Sequence, residues 1–495
     1  MSKILLISPN KWGRGITPIW IASHSGCLKL NSNHQVQLFD CTFYKDWTND
    51  ELSYNVKNYQ FMDSDYLNYV KFSENNVHED LQETIDAFNP DIIFCSALSS
   101  HIHGEGEYVN IQYSYNLIEN VDTDAIIIAG GLQATAKPKE ILDIFPKLDF
   151  LIGGDSELIL KEIADSIDNN KNISTIKGIS YYKDASFINN SAQGISKNMD
   201  DFGIYDYSVF SEQIFYRPYN GEVVKAVDYE MSRGCIYTCS YCVETIVQSY
   251  YGFTDSKKGV LKSSNKYLRN KTAERIFLEI KHLVNAYNIK LFRCQDTNFL
   301  TIDKAVLNEL ARLIDKSGLD FMLYIETRPE GITEKNVALL KKLKVDGVGM
   351  GIEVSEDGFR EDSLNRFASQ QKIISAFRLL KETGIKRTSY NIIGLPGQTE
   401  EMILNTIQFN RILQPDNITT AFYSPYIGTL EEEKSKSMGY SGEYEFNADA
   451  QLRSVINSDL LSTEILNFYK ENFVSLMRDS SQLSFLKAKY ANKYE

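Results

Sequence analysis

Short, unbroken apolar runs alternate with helix-period stretches over residues 1–167. KILLIS (3–8), DIIFCS (91–96), AIIIAGG (125–131) and FLIGG (150–154) carry consecutive aliphatic residues, and VQLFD (36–40) is read with them as a strand. Such runs suit strands buried on both faces of a parallel sheet. Between them, ITPIWIASHSGCLKLN (16–31) and ELILKEIADSI (157–167) read as helices. The alternation predicts a doubly wound α/β domain, whose ligands sit beyond the carboxyl ends of the strands. Those ends read SPN, SALSSH, GGLQATAKP and GGDSE. The two glycine pairs either let a bulky ligand approach the backbone or simply make tight turns.

The pattern changes over 168–225, which is Asn-rich and then aromatic (DFGIYDYSVFSEQIFYRPYN). This composition predicts a small hairpin and a connecting segment. The β-α alternation resumes over 226–430. AVDYEMSRG (226–234), KLFRCQDTNF (290–299), DFMLYIET (320–327), DGVGMGIEV (346–354), RTSYNIIGLPG (387–397) and ITTAFYSPYIGT (418–429) read as strands with helices between them. Six such units predict a partial barrel with its active site at the carboxyl ends of the strands. Residues 431–495 begin acidic and then read as mainly helical.

Charge and cysteine content narrow the chemistry. The 495 residues exceed a single core. A net charge of −14 argues against a nucleic-acid or anionic-membrane partner, since phosphate binding needs clustered Lys and Arg. No apolar run reaches the length of a membrane span, and the run within MSKILLISPN is too short for a signal-peptide core. The expected location is therefore the cytoplasm, where thiols stay reduced and a tight cysteine cluster reads as a metal or catalytic site. The chain has seven cysteines, and three of them fall within SRGCIYTCSYC (232–242).

Cys235, Cys239 and Cys242 are spaced C-x3-C-x2-C. A structural zinc wants four ligands, and no His or Cys follows at finger spacing. The nearest other thiol, Cys294, lies on a different predicted strand. Three thiolates on one loop can hold three corners of a [4Fe–4S] cube and leave one iron open. Zinc and a chance cluster remain the alternatives to this favoured reading.

The cysteine stretch, with Tyr241 before the last thiol, resembles the signature of radical S-adenosylmethionine (SAM) enzymes. It stands where that family keeps it, after the first strand of a six-unit β/α run. The resemblance implies a cluster that passes one electron to SAM and releases a 5′-deoxyadenosyl radical. It makes Cys235, Cys239 and Cys242 the catalytic cluster ligands. It further implies SAM contacts at Tyr241, at Asp296 in QDTN, at Glu326 and Arg328 in IETRPE, at Glu353 in GMGIEV and at Arg366 in LNR. An external donor such as flavodoxin or ferredoxin is implied as the electron source.

The first half is similar to the cobalamin-binding domain that precedes one large radical SAM subclass. The similarity lies in the order SPN…ITPIWIASHSGCL, NHQVQLFD, IIIAGGLQATAKPKEIL and DFLIGGDSE. It implies corrin contacts at Ser96, Ser99, Gly130, Gly131, Gly153, Gly154 and Glu157. A D-x-H-x-x-G motif is absent, so no protein histidine is expected as an axial cobalt ligand; His101 and His103 merely follow the third strand. The implied function is a cobalamin-dependent C-methyltransferase acting on an unactivated carbon of a small-molecule, lipid or sugar-derived substrate. A non-methylating cyclisation or rearrangement and a non-catalytic cobalamin/Fe–S sensor are the alternatives. A tRNA methylthiotransferase fits poorly, because Cys27, Cys41 and Cys95 are too scattered for a second cluster.

Overall fold

The computed structural model describes residues 1–98, 111–442, 452 and 454–487; Ser99, His101 and His103 lie outside the described residues. Two seven-stranded sheets organise the chain. In the first, β1 (Lys3–Ser8), β2 (Gln35–Asp40), β3 (Ile92–Cys95), β4 (Ile126–Ala129) and β5 (Phe150–Ile152) are parallel. The order is β2-β1-β3-β4-β5, as a doubly wound sheet requires. VQLFD departs from the expectation of two-sided burial. It forms β2 at the sheet edge, and only Phe39 along it is buried. The sheet then gains an antiparallel hairpin, β6 (Ile179–Lys183) and β7 (Ser186–Asn189). Its two-residue turn places Asp184 and Ala185 at φ 47° and 62°, the left-handed pair that matches strand twist.

A second hairpin, β8 (Tyr216–Tyr219) and β9 (Glu222–Tyr229), opens the other sheet through an Asn220-Gly221 turn. The break expected at 225 thus falls inside β9. The first half of that strand is exposed or half-buried and only its second half is fully buried, which is why its start reads as connector. Two short antiparallel ladders follow: β10 (Ser232–Arg233) with β13 (Arg269–Asn270), and β11 (Ser256–Lys257) with β12 (Val260–Leu261). Then come β14 (Leu291–Cys294), β15 (Met322–Thr327), β16 (Val345–Glu353), β17 (Lys386–Ile393) and β18 (Asn417–Phe422). The order β18-β17-β16-β15-β14-β9-β8 gives six parallel strands and one antiparallel edge, a partial barrel. The strand expected over 290–299 stops at Cys294, and QDTN becomes the loop at its carboxyl end.

One apolar core runs through both sheets. Phe202, Tyr205, Tyr207, Phe210 and Phe215 of the aromatic segment fill the space between them. This aromatic stretch is therefore mostly core, and only its end, Arg217–Tyr219, faces a cavity. Buried charge joins the halves as well. Arg233, just before the cysteine loop, pairs with Glu157 at 2.5 Å, Glu230 at 2.7 Å and Asp155 at 3.3 Å, while Arg269 also pairs with Asp155. The C-terminal helix Thr463–Arg478 packs Leu466 and Phe473 into a cluster with Ile403 and Ile407 of the helix Glu400–Leu413. Among the described residues, no helix is long and apolar enough to cross a membrane.

Candidate active site

The parallel strands of the barrel direct their carboxyl ends into a cavity of about 440 Å³. Its wall combines those ends with N-terminal residues, among them Trp12, Arg14, Glu51 and Phe61. The cysteine loop forms part of the rim. Gly234 (φ 95°) turns the chain beside the Tyr267 ring, and a side chain there would press on that ring. Gln248 of the helix Glu244–Tyr250 then donates to the carbonyls of Cys235 and Tyr237 at 3.0 and 2.9 Å. Ser240 is tied to the 363–366 segment, through Leu364 O at 3.1 Å and Ser363 O at 2.7 Å.

Each of the three sulfurs accepts from an N–H. Tyr237 N donates to Cys235 Sγ, Glu244 N to Cys242 Sγ, and Arg328 Nη1 to Cys239 Sγ, all at 3.4 Å. Such donors stabilise thiolate charge and are a means by which proteins tune iron–sulfur centres. Burial pushes the Cys235 thiol up to about 12 and Cys242 well above its ordinary value, so a metal must displace their protons. Among the described residues, no three His, Cys, Asp or Glu side chains converge on a single ion. A cube needs no such convergence, because each cysteine ligates its own iron. The donor set and its N–H partners fit an open-cornered cluster.

The structure brings several expected SAM residues to the same rim. Tyr241 OH donates to Glu353 Oε1 at 3.0 Å, and Arg366 lies 3.5 Å from the same carboxylate and 3.3 Å from the tyrosine oxygen. Glu353 closes β16 with φ 63°, a strained conformation for a residue with a side chain, and strain of this kind gathers at ligand sites. Arg328 stacks 3.7 Å from the Tyr237 ring centre and pairs with Glu330. Glu326 accepts from Tyr390 OH at 2.9 Å, and Tyr390 in turn meets Tyr324 OH at 2.7 Å. All of these residues except Glu330 line the cavity.

Asp296 stands apart from this group. Its Oδ1 accepts from Met231 N, Ser232 N and Ser232 Oγ at 2.6–3.0 Å, and the residue is fully buried behind the rim, where its neighbour Thr297 reaches the cavity instead. Burial raises its pKa to about 7.

The strand ends of the first sheet have protein partners of their own. Glu157 Oε1 accepts from Ser23 Oγ at 2.8 Å and from Arg233, which makes it an interdomain counterion, while its buried Oε2 has no hydrogen-bond partner among the described residues. Burial alone would raise its pKa, but Arg233 holds it down to about 2. Gly153 and Gly154 abut Tyr250 and Tyr251; a Cβ on Gly153 would lie 2.8 Å from Tyr250 OH. Their lack of side chains serves domain packing. Gly130 N bonds Ser96 O at 2.9 Å, Gly131 turns the chain at φ 96°, and Ser96 sits left-handed at φ 65°. Buried Ser96 Oγ and Gln133 Oε1 have no hydrogen-bond partner among the described residues, as polar atoms awaiting a ligand would.

Cavity residues outside the expected set include Arg14 and Arg217, paired with Glu51 and Asp228, and Arg293 on β14. For Arg293 a signal was present: a lone charge at the centre of the apolar run LFRC.

Comparison with known proteins agrees with this geometry. Residues 229–409 match the Radical SAM superfamily. An uncharacterised methyltransferase of Pyrococcus horikoshii is 25% identical over 357 residues, 72% of each chain. The anaerobic magnesium-protoporphyrin IX monomethyl ester cyclase of Rubrivivax gelatinosus is 24% identical over 511 residues, covering 99% of this chain and 80% of the cyclase. The structure of the radical SAM methyltransferase TsrM from Kitasatospora setae, solved with cobalamin and a [4Fe–4S] cluster, superposes with TM-score 0.63 at 17% identity, covering 92% of this chain and 79% of that one. The protein therefore carries a radical SAM domain over residues 229–409. Its fold as a whole, a doubly wound sheet ahead of the partial barrel, is the one seen in TsrM.

Proposed function

We propose that this protein is a cobalamin-dependent radical SAM enzyme that methylates an unactivated carbon of a small-molecule, lipid or sugar-derived substrate. The observation that carries the reading is the set of three N–H-bonded cysteines on the rim of a cavity walled by both halves of the chain. When bound, the cluster would supply the electron that cleaves SAM, and cobalamin the methyl group. Cys235, Cys239 and Cys242 would hold three irons, and Arg328 would offset charge at Cys239. Tyr241, Glu353 and Arg366 form one hydrogen-bonded group that would orient SAM, with Glu326 and Tyr390 on the two strands that flank β16. Ser96, Gly130 and Gly131, at the ends of β3 and β4, would face the corrin within a unit spanning 1–167. Trp12 and Phe61 line the same cavity, and apolar walls of this kind would protect a reactive substrate carbon. Flavodoxin or ferredoxin would serve as electron donor.

The test is product analysis with anaerobically reconstituted protein under reductant. Methylation yields S-adenosylhomocysteine together with 5′-deoxyadenosine, and failure to find that pair with any accepted substrate defeats it. Ring closure is the second reading, supported by the cyclase relative that aligns with 99% of this chain; it yields 5′-deoxyadenosine without S-adenosylhomocysteine. A sensor would form neither.

A further inference from the structure

We propose that the interior of the barrel holds an anion subsite, in which the Arg293 guanidinium takes a carboxylate or phosphate group of the substrate. The proposal rests on reading the cavity as the active site, and it narrows the substrate to molecules with an acidic end.

Five arginines line the cavity. Four have counterions: Arg14 with Glu51 at 3.1 Å, Arg217 with Asp228, Arg328 with Glu330, and Arg366 with Glu353 at 3.5 Å. Arg293 has no hydrogen bond and no ion pair among the described residues. Its one close partner is the Tyr324 ring, 5.4 Å from the guanidinium carbon. A half-buried guanidinium on a cavity wall, without a protein counterion, still carries a cost, because the part of its hydration that it has lost is not replaced. Purely structural arginines in this barrel avoid that cost, as Arg217 shows.

The neighbouring groups are engaged elsewhere. Asp228, level with Arg293 on the adjacent strand, is held by Arg217, by Gln295 Nε2 at 2.9 Å and by Thr17 N at 3.1 Å. Glu326 is held by Tyr390, and Tyr390 by Tyr324. Burial works against the charge on Arg293, but the field of Asp228 outweighs it and keeps the group cationic. A fixed, planar fork with free donors inside a cavity is suited to bidentate capture of an oxyanion.

Position adds a length constraint. Arg293 pairs in register with Tyr324, two residues before Glu326 at the strand ends. Two residues of strand span about 7 Å. The Arg293 backbone therefore lies about that far below the strand ends, so the acidic group would enter toward the barrel interior and leave the other end of the substrate near the cysteine loop.

The experiment uses the full chain and three probes: phenylacetate, phenyl phosphate and neutral phenylacetamide. Calorimetric titration is expected to show one of the anions binding about tenfold or more tighter than the amide, the size of one charge-assisted contact. The preferred anion distinguishes an organic acid from a phosphate ester. Arg293→Gln is expected to erase the preference, and Arg293→Lys to retain part of it. A measurement on the unsubstituted chain guards against misfolding of the variants. Phenylglyoxal labelling of Arg293, read by mass spectrometry, should fall when the preferred anion is present and not with phenylacetamide. No charge preference, a preference that survives in a folded Arg293→Gln protein, or labelling at Arg293 that the anion leaves unchanged overturns the subsite. Uncoupled SAM cleavage by the unsubstituted protein, measured separately, reports on the functional reading. Its absence beside an intact anion preference would defeat that reading and leave the subsite standing.

Discussion

Two sets of strand ends meet in this molecule, and they are built for different work. Those of the first sheet are largely occupied by protein: Gly153 and Gly154 receive Tyr250 and Tyr251, and Glu157 receives Arg233. Those of the barrel remain open, and their thiols, carboxylates and guanidinium groups line a cavity. The same topological rule, ligands beyond the carboxyl ends of parallel strands, applies to both sheets. Their difference shows that the first sheet also anchors the rim, because the residue that reaches into it, Arg233, stands two positions before Cys235.

If the open set carries the chemistry, changes there should abolish activity without unfolding the chain. Cys235→Ala, Cys239→Ala and Cys242→Ala each leave two cluster ligands, and each is expected to eliminate 5′-deoxyadenosine formation with thermal melting little altered. Retained SAM cleavage in any of the three would break the comparison at its strongest point.

Changes in the occupied set should do the reverse. Arg233→Met leaves Glu157 and Glu230 buried without their counterion, and such losses run to about 3–5 kcal/mol. Denaturant unfolding at neutral pH measures the loss. A smaller effect is expected from Gly154→Ala, at φ 71° and against Tyr251. It should cost about 1–3 kcal/mol, partly recovered in a Gly154→Ala/Tyr251→Ala double variant.

Two buried carboxylates sharpen the contrast with pH. Glu157 is held down to about 2 against an ordinary 4.5, so it adds stability above pH 4.5 that is lost as pH falls toward 2. Asp296, behind the rim, is raised from 3.8 to about 7 by burial. The fold then binds a proton that the unfolded chain has released, so stability declines as pH rises from about 4 to 7. Asp296→Asn should flatten that decline, and Arg233→Met should weaken the acid-side loss. Unfolding curves across this range decide, and an unchanged slope in both variants contradicts the assignments.

Much of this arrangement was legible in the sequence. The apolar runs located the parallel strands because buried strands admit little else, and the three cysteines stood out because thiols are otherwise sparse. Legibility failed where meaning depends on what packs opposite. VQLFD reads with the continuous apolar runs, although Gln35 and Gln37 alternate with Val36 and Leu38, and it forms an edge. Nothing near Glu157 and the 153–154 glycines in sequence announces their packing partners Arg233, Tyr250 and Tyr251. Asp296 is a strand-end carboxylate like Glu326, and only the turn at Met231–Ser232 diverts it. Tyr241, Glu353 and Arg366 were readable one by one, but their meeting across more than a hundred residues was not.

The central claim is that the three-thiol loop holds a cluster with one open iron for SAM. Electron paramagnetic resonance of the reduced, reconstituted protein, with and without SAM, tests it most directly. The account predicts a [4Fe–4S] signal that changes when SAM is added and is lost in Cys239→Ala. A [4Fe–4S] signal indifferent to SAM, or stoichiometric zinc in place of iron, would contradict it.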